Sequence, residues 1–226
     1  MTVTRPAVSQ SSAASIFSSI AKAHYIYITY TGVIKSGYDQ SGLFGAADSK
    51  LNGDAFSITY KFDARRGSVS YTPSQDFQYG GIDCSLSGGT DYDLTSPLVS
   101  ATIIVNGRSE VMTAPTGAET TLSIVLNQNG SLSYEIDQDV YANTTSGSDE
   151  IANSLDTSVY GTMSATSALQ ALSTGDSSLL SADIGAGAHP FGYFGFGTYD
   201  DATGAQTVDT YASLSLSTIS LSVGNS

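Results

Sequence analysis

Aspartate is the residue of this chain best suited to holding a ligand, and it recurs in three glycine-rich settings. Asp83, Asp91 and Asp93 lie within FQYGGIDCSLSGGTDYDLT, from Phe77 to Thr95. Asp39, Asp48 and Asp54 accompany Gly37, Gly42, Gly45 and Gly53, and Asp200, Asp201 and Asp209 surround the last predicted hairpin. Loop carboxylates with nearby carbonyls are hard oxygen ligands, so calcium is the cofactor these spacings point to. The candidate ligands are Asp83, Asp91, Asp93, Asp200, Asp201 and Asp209. Aspartate beside glycine also forms side-chain-capped turns with no metal at all, and both readings use the same residues.

Acid–base chemistry has less to work with. Glu135, Asp137 and Asp139 alternate along one predicted strand and so share a face, and paired carboxylates are what glycoside cleavage requires. Tyr134, Ile136 and Val140 mark the other face as apolar, which makes the acidic side the solvent side of an amphipathic strand. The chain has no tryptophan to serve as a sugar platform and only two histidines, His24 and His189. No Gly-x-Ser-x-Gly elbow accompanies either histidine. Cys84 stands alone, which excludes an internal disulfide and suits a small buried hydrophobe. The expectation is a protein that is not an enzyme.

Charge is divided unevenly along the 226 residues. All eight basic residues (Arg5, Lys22, Lys35, Lys50, Lys61, Arg65, Arg66 and Arg108) precede Ser109, where eight acidic residues balance them. From Ser109 to Ser226 there are thirteen acidic residues and no Lys or Arg, so that half carries the whole net charge of −13. A surface of this kind cannot neutralise phosphate, which argues against nucleic acid, and an anionic membrane would repel it. No run of about 18 apolar residues occurs, so no membrane-spanning helix is expected.

The elements that must position these residues read as strands. Tyr25, Tyr27, Thr29 and Thr31 alternate with Ile26, Ile28 and Tyr30, and Phe56, Ile58, Tyr60 and Phe62 form one apolar face of a second strand. Ser68 to Thr72 is the expected hairpin partner of that second strand, after a turn at Arg65-Arg66-Gly67. Residues 77–95 read as loop and a short edge strand. Leu98 to Asn106 is a strand that returns through an Asn106-Gly107 turn. Thr120 to Leu126 and Ser131 to Val140 form another hairpin, and the polar segment from Tyr141 to Thr166, poor in apolar anchors, is expected to loop over an end of the sandwich with a short strand or turn at Ser158 to Met163. Brief helical turns are expected at Ser167 to Leu172 and at Ser177 to Leu180.

FGYFGFGTY, from Phe191, and the alternating SLSLSTISLSV make the final pair, with a phase flip near Thr218 that predicts a bulge. Ser9 to Lys22 predicts one short amphipathic helix, and its serine-interrupted apolar patch makes a weak signal peptide. The expected organisation is an N-terminal segment, 1–24, followed by one domain, 25–226. Its expected class is all-β, an antiparallel β-sandwich of jelly-roll kind with one short N-terminal helix.

The runs YTGVIKSGYDQSGLFG, LNGDAFSITYKFD and FGFGTYDDATGAQTVDTYASLSLSTISLSV resemble the soluble β-domain of secreted bacterial proteins of the PEP-CTERM, exosortase-sorted kind. The likeness covers about half the chain and rests on turn and core patterns. The Pro-Glu-Pro tail, apolar helix and basic cluster that go with sorting are not in this sequence, so the resemblance does not imply anchoring. It implies an extracellular or cell-surface β-domain associated with surface or matrix material. The expected function is a non-catalytic, self-assembling surface or matrix protein, with a homo-oligomer or matrix as partner. A calcium-assisted carbohydrate-binding or adhesion module, with glycans as partner, is the alternative.

Overall fold

The alternation that begins at Tyr25 becomes a strand of 15 residues whose even-numbered side chains Ile26, Ile28, Tyr30 and Ile34 are all buried. The computed structural model describes residues 25–63, 65–66, 68–73, 81–88, 95–113, 120–127, 131–139, 142–146, 149–164, 178–183, 191–200, 203 and 205–224. The helix expected from Ser9 to Lys22 and the helical turn expected at Ser167 to Leu172 lie outside the described residues.

The described elements are strands: β1 (Tyr25–Asp39), β2 (Ser49–Lys50), β3 (Ala55–Asp63), β4 (Ser68–Pro73), β5 (Gly81–Gly88), β6 (Leu98–Val105), β7 (Arg108–Thr113), β8 (Thr120–Asn127), β9 (Ser131–Asp139), β10 (Ala142–Ser146), β11 (Asp149–Ser164), β12 (Ser178–Asp183), β13 (Phe191–Asp200) and β14 (Ala205–Gly224). They form one antiparallel sheet in the order β4-β5-β8-β9-β11-β13-β14-β1-β3-β6-β7, with β10 on β11, β12 on β14 and β2 on β1. The sheet curls as a half-barrel. The all-β, antiparallel class expected of the sequence is therefore what the described residues adopt.

The inner face is the core. Ile26, Ile28 and Tyr30 of β1 lie beside Phe56, Ile58, Tyr60 and Phe62 of β3, and these beside Leu98, Ala101, Ile103 and Val105 of β6. Each large side chain removed from water here contributes about 1.5–3 kcal/mol before the entropy of ordering is charged against it. Tyr30 and Tyr60 meet edge to face at 6.0 Å, the arrangement favoured by the ring quadrupole. The outer face is lined by hydroxyls, with cross-strand bonds from Thr29 to Thr59 (2.9 Å) and from Thr31 to Thr218 (2.6 Å).

Bulges decide which residues face inward. Between β1 and β14 the register passes from Thr31↔Thr218 to Gly32↔Leu216, leaving Ser217 unopposed, so Leu214, Leu216 and Ile219 are all buried despite their change of phase. This is the bulge the SLSLSTISLSV pattern predicts. Lys35 is the extra residue on the other strand, between Ile34↔Leu214 and Ser36↔Ser213. Its insertion moves the inward set from even to odd numbers, so Gly37 and Asp39 turn inward.

Three expected hairpins are present. Asn106 and Gly107 have φ of 52° and 75°, as a two-residue primed turn between β6 and β7 requires. The pairs β8–β9 and β13–β14 are the other two.

Four local expectations are corrected. Ser68 to Thr72 does not pair with Phe56 to Phe62: both edges of β3 are taken, by β1 and β6, and β4 pairs with β5 instead. The cause is visible at Asp63, whose N–H donates to the Pro97 carbonyl at 2.8 Å and ties the end of β3 to the start of β6. Within 77–95, β5 is bordered by β4 and β8 and so is not an edge. The loop expected from Tyr141 to Thr166 is instead largely strand: Ala142–Ser146 and the 16-residue Asp149–Ser164 pair with each other as β10 and β11, and the short strand or turn expected at Ser158 to Met163 is the end of β11. Ser177 to Leu180 is not a helical turn, since Ser178–Asp183 runs as a strand against β14.

Candidate functional site

The first polar centre is Asp39, which the Lys35 bulge places on the apolar side of the sheet. Its residue exposure is 0%. A carboxylate in that position needs several donors to stay charged. It has them: the N–H groups of Leu43 (2.9 Å) and Phe44 (2.8 Å) and the Thr210 hydroxyl (2.9 Å) all donate to it. Burial pushes the Asp39 carboxyl up, but the bonds from Phe44, Thr210, Leu43 and Gly42 outweigh burial and hold it below the usual carboxylate range. Thr210 also bonds Ser41 at 2.8 Å, and the Gln40 N–H donates to the Asp209 carbonyl at 2.8 Å. The loop after β1 is thereby fastened to β14. Phe44, fully buried, packs at 5.4 Å from Phe194 and 5.8 Å from Phe196 on β13.

The second centre lies on the outer face at the opposite end of β1 and β3. Register places Tyr27 opposite Lys61 and Tyr25 opposite Asp63. Lys61 Nζ sits 3.9 Å from the centroid of the Tyr25 ring and 5.8 Å from that of Tyr27, and the Arg65 guanidinium is 5.8 Å from Tyr25. Cation–ring contacts at such exposed positions are weak, because water screens the charge. Arg65 grips Asp63 with two bonds, Nε to Oδ1 at 2.8 Å and Nη2 to Oδ2 at 2.7 Å, while Arg66 Nε stands 3.6 Å from Oδ2. Arg65 first, then its backbone N–H and the nearby Arg66 charge, keep the Asp63 carboxyl low against the opposing effect of burial. The two arginine side chains are 54% and 46% exposed whereas that of Asp63 is 5% exposed, so the cationic side of this cluster faces water.

The third arrangement is a row of tyrosines on the outer face. Tyr38 of β1 is the register partner of Tyr211 of β14, which is the partner of Gly195 of β13. The Tyr193 ring lies over Gly195, where a Cβ would come within 2.6 Å of the Tyr193 hydroxyl.

Three of the six predicted metal ligands, Asp83, Asp200 and Asp209, lie among the described residues. Asp83 is on β5, between Thr72 of β4 and Val125 of β8. Asp200 ends β13 opposite Ala205, whereas Asp209 is the unopposed bulge residue between Val208 and Thr210, so the register separates them along the hairpin. Asp91, Asp93 and Asp201 lie outside the described residues. Among the described residues no group of three or more acidic, His or Cys side chains gathers around a point. Asp39, Asp48 and Asp54 have separate partners: Asp48 accepts from the Tyr38 hydroxyl at 3.2 Å and Asp54 from Asn106 Nδ2 at 2.7 Å. Glu135, Asp137 and Asp139 lie on β9, with Asp156 of β11 directly opposite Asp139.

Sequence reasoning missed the Lys61–Tyr25 cluster, although Tyr25, Tyr27 and the run YKFDARR carry all its members. It also missed the inward position of Asp39, for which the sequence offers no signal. No family model, curated protein or solved structure matches the chain.

Proposed function

We propose that this chain is a non-catalytic structural β-domain of an extracellular or cell-surface layer that associates with copies of itself. The observation that carries the reading is the use made of Asp39, Asp48, Asp54 and Asp63. Each is engaged by donors of its own chain: those of Asp39, Asp48 and Asp54 fasten separate segments together, and Asp63 is gripped by Arg65 in the turn that follows it. A general acid or base must keep a lone pair or proton for its substrate, and Asp39 and Asp63 are committed through both oxygens. The jelly-roll-like sandwich is part of the same proposal, because an inner face built of Ile26, Ile28, Ile58, Phe62 and Ile103 needs a second layer over it. Light scattering coupled to size exclusion, over a wide concentration range with and without Ca²⁺, tests the association. Growth of mass with concentration is expected, and a strict monomer throughout overturns it.

The outer-face tyrosines favour one second reading, a calcium-assisted carbohydrate-binding or adhesion module. Tyr211 is 44% exposed beside Tyr38 and Tyr193, and tyrosine faces stack on sugars. A glycan array with no EDTA-sensitive ligand overturns this reading.

A further inference from the structure

Lys61, Arg65 and Arg66 concentrate positive charge at one end of the outer face of β1 and β3, with Asp63 neutralising one of the three. The second half of the chain presents the opposite problem. Register sets Asp139 directly opposite Asp156. Like charges at directly opposed positions destabilise a sheet. No Lys or Arg follows Arg108, so that half has no cation of its own to relieve them. Asp139 and Asp156 share a register row with Tyr193, whose neighbours Gly192 and Phe194 are buried on the inner face. The register row of Asp139 and Asp156 is therefore continuous with that of Tyr193.

The two features cannot satisfy each other within one molecule. Between β3 and β9 lie β1, β14, β13 and β11, a separation of roughly 24 Å at the usual strand spacing. That exceeds the screening length of about 8–10 Å at ordinary ionic strength. Curling of the sheet spreads its outer face further.

We infer that the cluster of Tyr25, Lys61, Arg65 and Arg66 is a docking surface for the acidic β9–β11 row of a second copy of this chain. The inference rests on the self-association reading and supplies its contact. Because the two surfaces differ, the contact is heterologous: each copy uses one surface and leaves the other free, so assembly continues instead of closing at a dimer. Lys61, already held over the Tyr25 ring, loses little freedom when a carboxylate reaches it.

The test is sedimentation velocity on the full chain at low and high salt, with EDTA present and, in a parallel series, with Ca²⁺ in its place. Wild-type protein is expected to associate at low salt and to dissociate as salt rises. Lys61→Glu combined with Arg66→Glu, and separately Asp139→Lys combined with Asp156→Lys, should each weaken association by about tenfold or more. An equimolar mixture of the two variants should restore it, since each supplies the surface the other has lost. Association that survives both variants, or a mixture that fails to associate, overturns the contact while leaving self-association standing. Wild-type association seen only when EDTA is omitted overturns it in favour of a bridging divalent cation. A wild-type monomer at low salt with and without Ca²⁺ overturns both this contact and the structural reading beneath it. Should the doubly reversed basic variant fail to fold, Arg66→Glu alone against the aspartate variant decides the same question.

Discussion

Asp39 accepts the hydroxyl of Thr210 at 2.9 Å across 171 positions of sequence, inside an apolar face where neither could remain without a partner. The bond joins the end of the first described strand to the first third of the last. It also sets the loop 40–48, because the same carboxylate holds Leu43 and Phe44.

Asp39→Asn replaces an oxygen that only accepts with an amide nitrogen that only donates, and at least one loop N–H loses its acceptor. The expected loss is about 3 kcal/mol, read as a lower urea midpoint by circular dichroism. Thr210→Val keeps the shape and removes one donor, and should cost about 1–2 kcal/mol.

Acid should expose the same carboxylates. Asp39 and Asp63 both have folded-state pKa values below their ordinary ones. Their stabilisation is therefore fully present above the unfolded value of about 4 and is lost as pH falls through the folded values. Urea midpoints should hold steady from neutral pH down to about pH 5 and then decline. The decline should be shallower in Asp39→Asn; an identical slope would show that Asp39 contributes nothing to it.

Phe44 anchors the loop by hydrophobic contact where Asp39 anchors it by hydrogen bonds. Phe44→Ala leaves a cavity between Phe194 and Phe196 and should cost about 3–5 kcal/mol, with Phe44→Leu costing less. Amide hydrogen exchange at Leu43 and at residue 44 should speed up together, since the two N–H groups share one acceptor residue.

Gly32 and Gly53 should respond to alanine for different reasons. A Cβ on Gly32 would collide with the Ser215 carbonyl of β14, which is backbone and cannot yield without parting the central strands. Gly53 has φ of 87° with nothing near a Cβ, so only conformational preference opposes the change. Thermal melts should show a loss of about 1 kcal/mol for Gly53→Ala and clearly more for Gly32→Ala.

The two bulges show where sequence reading succeeds and where it stops. Ser217 interrupts a run in which leucine and isoleucine report the facing on either side, so the phase change is visible in the residues themselves. Lys35 interrupts IKSGYD, where no apolar residue follows to reveal that the inward set has changed, and Asp39 therefore reads as a loop residue. The Lys61–Tyr25 cluster was hidden for another reason: Tyr25 and Lys61 meet only because β1 and β3 pair in one particular register.

By itself the sequence determined the strand class, the inward face of the strongly alternating strands, the Asn106-Gly107 turn and the confinement of basic charge to the first half. Each follows from local sterics, side-chain periodicity or simple counting. Only the tertiary structure decided that β1 lies between β14 and β3, that β4 leaves β3 for β5, and that Asp39 turns inward to meet Thr210. The backbone groups along a strand edge are nearly the same for every potential neighbour. Choosing among neighbours is a property of the whole sheet, settled by which arrangement buries the apolar faces and leaves no carboxylate without its donors.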